Sequence, residues 1–591
     1  MVWHQETLYI FINFTPNDQL MKINYLLFLL FCPLYVISQV NSITATEPVD
    51  LSVYDGTAST AGQGEYEVFL SDDNILDKPI IAVDGFDPGD SRDIATIYAS
   101  LNFSGTSGAQ NLADLLRDQG FDVVILNFPT YTNGDGATID GGADFMERNA
   151  MVLVELINLI NANKAPNNPE QNVVIGPSMG GIISRYALNY MEANGLDSDT
   201  RLYISFDSPH LGANIPIGLQ HQLNYLAFND LNPVAEVQPL INDLLNSPAA
   251  RQLLLDHYGA HLEAGSLVEF DPTKTLPEPH PYRLEFQNRI TSFTTDGFPE
   301  NTRNVSIVNG SGIGSSYFAI GSSGPLVDNG YPIITSSFDI TVPNPLPFGS
   351  PTIDVPVTID VNFTPAAGPE AQVSSFVAST PVGSISSSAN SETINFDGVD
   401  AAPGGLFDLS DLTGAFPNTG PGAEVLAGLE IDKFNFIPTV SALALEITEE
   451  ASGDDINWFH NINLAGRATT NTTPFDNTFL PDDNEPHVQL TEANVAFALS
   501  EILNPPLSLP ENSIISFKIE QNPIAHDLVI LSNTTTEAKV WITDLAGKTL
   551  FNTGVNLTDR TAIPLNLTSG FYLLNLTTGN NQVFVSKFIV Q

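Results

Sequence analysis

Between Lys78 and Gly212, uniformly apolar runs alternate with stretches of helical spacing, and this alternation constrains the fold more than any other feature. The runs are Pro79-Ile80-Ile81-Ala82-Val83, Val123-Val124-Ile125-Leu126, Asn172-Val173-Val174-Ile175 and Leu202-Tyr203-Ile204-Ser205-Phe206. They are too apolar for strands with one wet face. Strands read this way when both faces are covered, which happens when helices cross over between parallel strands. The segments 111–119 and 143–163 supply such helices, with Leu153, Leu156, Ile157 and Ile160 on one face of the second. The expectation is an α/β fold on a parallel sheet.

Inside that alternation, Gly176-Pro177-Ser178-Met179-Gly180-Gly181 directly follows one strand and precedes a predicted helix over 182–190. Small residues around a serine allow a strained strand-to-helix turn that lifts Oγ clear of the sheet. The helix N-terminus then lies behind the hydroxyl and favours developing negative charge. Ser178 is therefore the candidate nucleophile. An oxyanion site needs one N–H from the residue after the nucleophile, here Met179, and one from a loop after an earlier strand. Asp84-Gly85-Phe86-Asp87-Pro88 closes the strand 79–83, so Phe86 is the candidate second donor.

These residues resemble the α/β-hydrolase superfamily and, within it, the bacterial true lipases, over about residues 78–503. Asp84-Gly85 stands where the family has His-Gly, and Ser208-Pro209-His210-Leu211-Gly212 is similar to its Thr-Pro-His-x-Gly. Asn304–Gly310 resembles the following strand. Phe434–Leu443 resembles the segment Asn-Asp-Gly-Val-Val-x-x-x-Ser-Ala-Leu, which puts Phe434 where the family carries its catalytic Asp. The acid must come from elsewhere. Asp207, at the end of the strand 202–206, is preferred over Asp432, because a strand end on the C-terminal edge of the sheet is aimed at the site. His487 lies in Asn484-Glu485-Pro486-His487, ahead of a predicted helix over 492–503, and is preferred over His460. The chain order would be Ser…Asp…His. The resemblance implies a serine ester hydrolase, lipase-like, working through an acyl-enzyme on an ester or lipid, with no cofactor and no metal. A short-chain carboxylesterase or polyesterase is the alternative, as is a non-catalytic binding protein on the same scaffold.

Segment 217–292 reads as a helical cap, with Leu240, Ile241, Leu244 and Leu245 as one apolar stripe and Leu253-Leu254-Leu255 as another. Such stripes can face a fatty chain, although most of them are expected to pack the cap onto the sheet. Segment 325–425 alternates with period two and reads as a β-rich insertion within a hydrolase domain over 78–504. Its Asp and Asn residues between Asn395 and Asp411 lack the ligand spacing of a calcium loop. After Pro505-Pro506, residues 511–591 read as a small all-β sandwich. Asn522-Pro523, Val540–Lys548, Leu567–Leu574 and Lys587–Val590 resemble the C-terminal sorting domain of type IX secretion, which implies handling by that secretion machinery.

At the other end, Met21-Lys22 and an apolar core from Tyr25 to Val36 read as a secretory signal peptide over 21–38, with 1–20 an upstream extension and 39–77 a lead-in. The apolar core is too short for a comfortable transmembrane anchor. The single cysteine, Cys32, falls inside that peptide, which excludes a disulfide framework. With 68 acidic against 20 basic side chains, a net charge of −48 also excludes a nucleic-acid binder that grips phosphates through Lys and Arg. The expectation is an exported protein.

Overall fold

The computed structural model describes residues 40–591 apart from 231–232, 315–329, 345, 347–348, 381, 411–419, 446–455, 461, 463–472, 505–516, 525, 533–534, 545–546 and 579–582. Residues 1–20 and the segment 21–38 expected to be a signal peptide lie outside the described residues. The chain divides into two compact units, one ending at Pro505 and the other beginning at Pro506.

The first unit is built on an eight-stranded sheet. Its strands in chain order are β1 (Asn41–Thr44), β2 (Gln63–Phe69), β3 (Pro79–Val83), β4 (Asp122–Asn127), β5 (Asn172–Pro177), β6 (Thr200–Phe206), β7 (Arg303–Ile307) and a last strand Asn477–Phe479. The spatial order is β1-β2-β4-β3-β5-β6-β7 and then Asn477–Phe479. All pairings from β4 onward are parallel, while β1 and β2 add an antiparallel edge. That edge corrects the sequence reading of 39–77 as a patternless lead-in: β2, Gln-Gly-Glu-Tyr-Glu-Val-Phe, is half-buried and polar, so its apolar signal is weak.

Because side chains alternate across a strand, neighbouring apolar residues serve opposite faces. Ile81, Val83, Val124 and Val174 pack with α3 (Met146–Lys164) and α4 (Met179–Ala193) on one face. Ile80, Val123, Ile125 and Val173 pack with α1 (Ile94–Ser100) and α2 (Leu112–Asp118) on the other. Two covered faces account for the continuous apolar runs. The C-terminal helix of this unit, Glu492–Leu503, closes the second face through Val495, Ala498 and Ile502 and starts with a capping box at Thr491 and Asn494.

After β6 come α5 (Ile217–Phe228), a π-helical turn at Leu240–Leu245, α6 (Pro248–Leu253) and α7 (Pro281–Thr291). The insertion is a four-stranded antiparallel sheet of β8 (Pro332–Pro343), β9 (Thr352–Asn362), β10 (Ala371–Thr380) and β11 (Gly383–Ser391). Cap and insertion share one core: Ile217, Leu223, Ile241, Leu245 and Leu254 pack with Val355, Val357, Ile359 and Val361. The stripe at Leu240–Leu245 is thus spent on the insertion, not on the central sheet. Only Leu253 of the second run joins the core beneath α3 and α4.

By its apolar run, Phe434–Leu445 reads in the sequence as one further strand of the sheet. Instead β12 (Gly404–Asp408) and β13 (Lys433–Pro438) form a separate two-stranded antiparallel ribbon, and the chain turns into helix at Thr439–Ala442. Pro438 cannot donate to a ladder, so the strand stops there. The actual last strand of the sheet, Asn477–Phe479, has three residues, too few for a periodic signal.

The second unit contains only antiparallel strands among its described residues. One sheet joins Phe517–Ile519, Asp527–Ser532 and Arg560–Pro564, and the other joins Thr549–Leu557, Thr536–Thr543, Gly570–Thr578 and Val583–Val590. Leu528, Ile530, Val540, Ile542, Leu574, Leu576 and Phe588 fill a core of its own.

Candidate active site

Strand β5 ends at Pro177 and α4 begins at Met179, so Ser178 alone makes the turn between them. It does so with φ 52° and ψ −129°, a conformation that non-glycine residues adopt only where their surroundings enforce it. The enforcement is visible at Gly180, where a Cβ would come within 2.3 Å of the Val83 carbonyl oxygen. The helix start therefore presses against the end of β3, and Oγ stands above the sheet.

His487 Nε2 lies 2.8 Å from Ser178 Oγ, and His487 Nδ1 lies 2.6 Å from Asp207 Oδ2. Asp207 is fully buried, while the His487 side chain keeps 13% of its surface. The second carboxylate oxygen of Asp207 accepts the Asn309 N–H at 3.1 Å. Each residue sits where a strand runs out: Asp207 after β6, Asn309 after β7, and His487 beyond Asn477–Phe479. Parallel strands bring their C-terminal ends to one edge, which is why residues far apart in sequence meet here.

The segment carrying His487 is held by the ribbon from the insertion. His487 N–H donates to the Leu406 carbonyl at 2.8 Å, and Leu406 N–H donates to the Glu485 carbonyl at 3.0 Å. The Phe436 ring meets the imidazole edge-on, with centroids 5.0 Å apart. Gly405 passes so close to Asp207 that a Cβ there would stand 2.0 Å from Oδ2. Asn309 Nδ2 donates to Glu485 Oε2 at 2.9 Å and to the Gln489 carbonyl at 3.0 Å, which ties the end of β7 to the histidine loop. Burial raises the Glu485 carboxyl above its ordinary value; the Asn309 bond opposes this and the nearby Asp207 charge adds to it.

The loop after β3 reaches the same place. A Cβ on Gly85 would lie 3.4 Å from Ser178 Cβ and 3.7 Å from the Met179 nitrogen, so Gly85-Phe86 adjoins the serine directly. Arg92 Nη2 fixes the loop by donating to the Phe86 carbonyl at 3.0 Å and to Asp84 Oδ1 at 3.2 Å. Burial pushes the Asp84 carboxyl up to about 6 against the pull of Arg92. Met179, as the first helical residue, has no intrahelical acceptor for its N–H. Gly85-Phe86 and Met179 are thus the backbone segments that adjoin Ser178 on its two sides.

The alternatives fall elsewhere. Asp432 is exposed at the start of β13, and Phe434 is buried and stacked on Phe407 at 5.4 Å. The histidine that bonds both Ser178 and Asp207 is His487. His210 is buried with Nε2 2.8 Å from Ser205 Oγ, and burial holds its pKa well below the ordinary imidazole value, so it packs as a neutral ring. Sequence reasoning missed Asn309, Glu485, Gly405 and Phe436. Asn309 ends a predicted strand and could have been found by the argument that selected Asp207. The other three depend on the pairing of β12 with β13, which no local pattern encodes.

Residues 90–239 match the family described as PGAP1-like alpha/beta domain, and residues 521–591 match the secretion system C-terminal sorting domain. The first match contains Ser178 and Asp207 and stops short of His487. The first unit therefore has an α/β-hydrolase fold, and the second is a sorting domain that marks the chain for export to the cell surface or the medium. The chain is similar to an α/β serine hydrolase without lid from Xanthomonas campestris, at 17% identity and a TM-score of 0.19, covering 29% of this chain and 62% of that one. It is similar to Est1E from Butyrivibrio proteoclasticus at 9% identity and a TM-score of 0.23, covering 46% and 77%. An esterase from Pyrococcus furiosus is similar at 12% identity and a TM-score of 0.21, covering 50% and 75%. No curated protein matches the chain. Among the described residues no helix is long and apolar enough to cross a membrane.

Proposed function

We propose that this hydrolase is a serine ester hydrolase that cleaves carboxylic esters of lipid-like substrates through an acyl-enzyme. The observation that carries the reading is the continuous hydrogen-bonded chain from Ser178 Oγ through His487 to Asp207, mounted on a strained strand-to-helix turn. Ser178 Oγ attacks the ester carbonyl while His487 Nε2 takes its proton. Asp207, accepting from Nδ1, fixes the tautomer and stabilises the imidazolium. The negative charge formed on the carbonyl oxygen is held by the Phe86 and Met179 amides. His487 then gives its proton to the departing alkoxide, leaving the acyl group on Ser178. Water, activated by the same imidazole, adds to the acyl carbonyl, and collapse releases the acid and restores Ser178.

The substrate reading rests on the place of the cap, whose first helix α5 follows the loop 208–212 in the chain. Turnover measured from acetate to palmitate esters tests it. Long-chain esters turned over at a rate not far below short-chain ones support a lipase. A collapse beyond butyrate would leave a small-ester hydrolase.

A further inference from the structure

Between α5 and the outer half of the insertion sheet lies a cavity of about 540 Å³. Tyr225 and Leu226 from α5, Val237 from the following turn, Phe338 and Ile340 from β8, and Val357 from β9 supply its apolar wall. The period-two pattern explains the shared face: Phe338 and Ile340 alternate along β8 with exposed Ser337, Asp339 and Thr341. The strands run on past the end of the helix that covers them, and the helix leaves this part of their apolar face unfilled. Ser178, His487, Asp207, Phe86 and Met179 do not line the cavity.

An apolar void of this size is costly when empty, since its lining loses contacts and water gains no polar partners inside. Its volume falls in the range of about 300–1,000 Å³ typical of small-molecule sites. Apart from Asn229, Thr380, Glu236 and the Tyr225 hydroxyl the wall is apolar, which suits a hydrocarbon chain better than a sugar or a nucleotide. The head of such a ligand would meet Glu236, which among the described residues is the one charged side chain lining the cavity and is exposed at its edge. A carboxylate can accept a hydrogen bond from a hydroxyl, whereas it repels a second anion. The surrounding chain, at −48, repels anions further.

We propose that this cavity binds the acyl chain of an uncharged, hydroxyl-bearing single-chain lipid, of the monoacylglycerol or fatty-alcohol type. The site is separate from the serine and stands whether or not Ser178 is a nucleophile. Full-length Ser178→Ala protein, which cannot consume an ester at that residue, is loaded with the fluorescent probe N-phenyl-1-naphthylamine. Monolaurin and laurate are then compared as displacers at pH 8, below the concentrations at which either forms micelles.

Monolaurin should displace the probe at least about tenfold more tightly than laurate. Ile340→Trp, which fills the cavity from a half-buried position, should remove both probe binding and displacement, and Ala378→Leu does so from β10, two strands away in the same sheet, if the tryptophan variant fails to fold. Glu236→Gln should narrow the gap between the two lipids. Failure of monolaurin to displace the probe overturns the proposal. So does unchanged binding in both filled variants, or laurate binding as tightly as monolaurin.

Discussion

Asp207 Oδ2 stands 2.6 Å from His487 Nδ1, across 280 residues of sequence, at the C-terminal edge of the sheet. The carboxylate follows β6 and is reached from the histidine loop, while the position where lipases carry their acid is filled by the buried ring of Phe434. The acid has, on this account, a different strand from the one the lipase resemblance indicates. Asp207→Asn should lower kcat by several decades, on the order of 10⁴, because an amide no longer supports the imidazolium. Asp432→Asn should stay within a factor of a few of the parent. Ester turnover by the two folded variants, measured side by side, decides this; equal and mild losses would mean that the acid lies elsewhere.

Glu485 and Asn309 tie the histidine loop to the end of β7 through the bonds of Asn309 Nδ2 to Glu485 Oε2 and the Gln489 carbonyl. Asn309→Ala removes both and should let the imidazole drift from its place between Ser178 and Asp207, which is enough for a large loss. The expected outcome is a kcat at least about tenfold lower with KM nearly unchanged. A folded Asn309→Ala protein with parent-like kcat would reduce these bonds to packing.

Gly405 leaves no room for a methyl group beside Asp207. Gly405→Ala should displace the carboxylate and cost at least about tenfold in kcat, since misplacement by an ångström is enough for large losses. Circular dichroism and melting would verify that the fold survives; a folded variant with parent-like turnover would contradict the stated geometry.

The Asp84 carboxyl, pushed up to about 6 by burial, gives a stability signature. A group whose folded pKa is raised contributes stability that is complete below its unfolded value, near 3.8, and is lost as pH rises through about 6. The parent should accordingly lose part of its melting temperature between pH 4 and pH 7, and Asp84→Asn should flatten that slope. Thermal melts across this range check the sign. A slope unaltered by the substitution would show that Asp84 titrates normally.

Much of this arrangement was legible in the sequence because it is local. Ser178 is announced by its own six-residue neighbourhood, and the strands by apolar runs that only a doubly covered sheet explains. Asp207 and His487 followed from where strands and helices end. Asn309 and Glu485 act on each other across 176 residues, a relationship that no local pattern encodes. The strand Asn477–Phe479 is too short to read, and the half-buried β2 too polar. The apolar stripe at Leu240–Leu245 was recognisable as a buried face, but its partner, the insertion sheet, begins about ninety residues downstream at Pro332 and could not be inferred from spacing.

The central claim is that Ser178 Oγ forms the covalent bond in turnover. Incubation with a fluorophosphonate probe, followed by mass spectrometry of the digested protein, tests it directly. The account predicts one stoichiometric adduct on the peptide containing Ser178, labelling that is lost in a folded Ser178→Ala protein, and p-nitrophenyl ester turnover in that variant reduced by several decades. An unlabelled parent, an adduct on another residue, or parent-like turnover by the folded Ser178→Ala protein would contradict it.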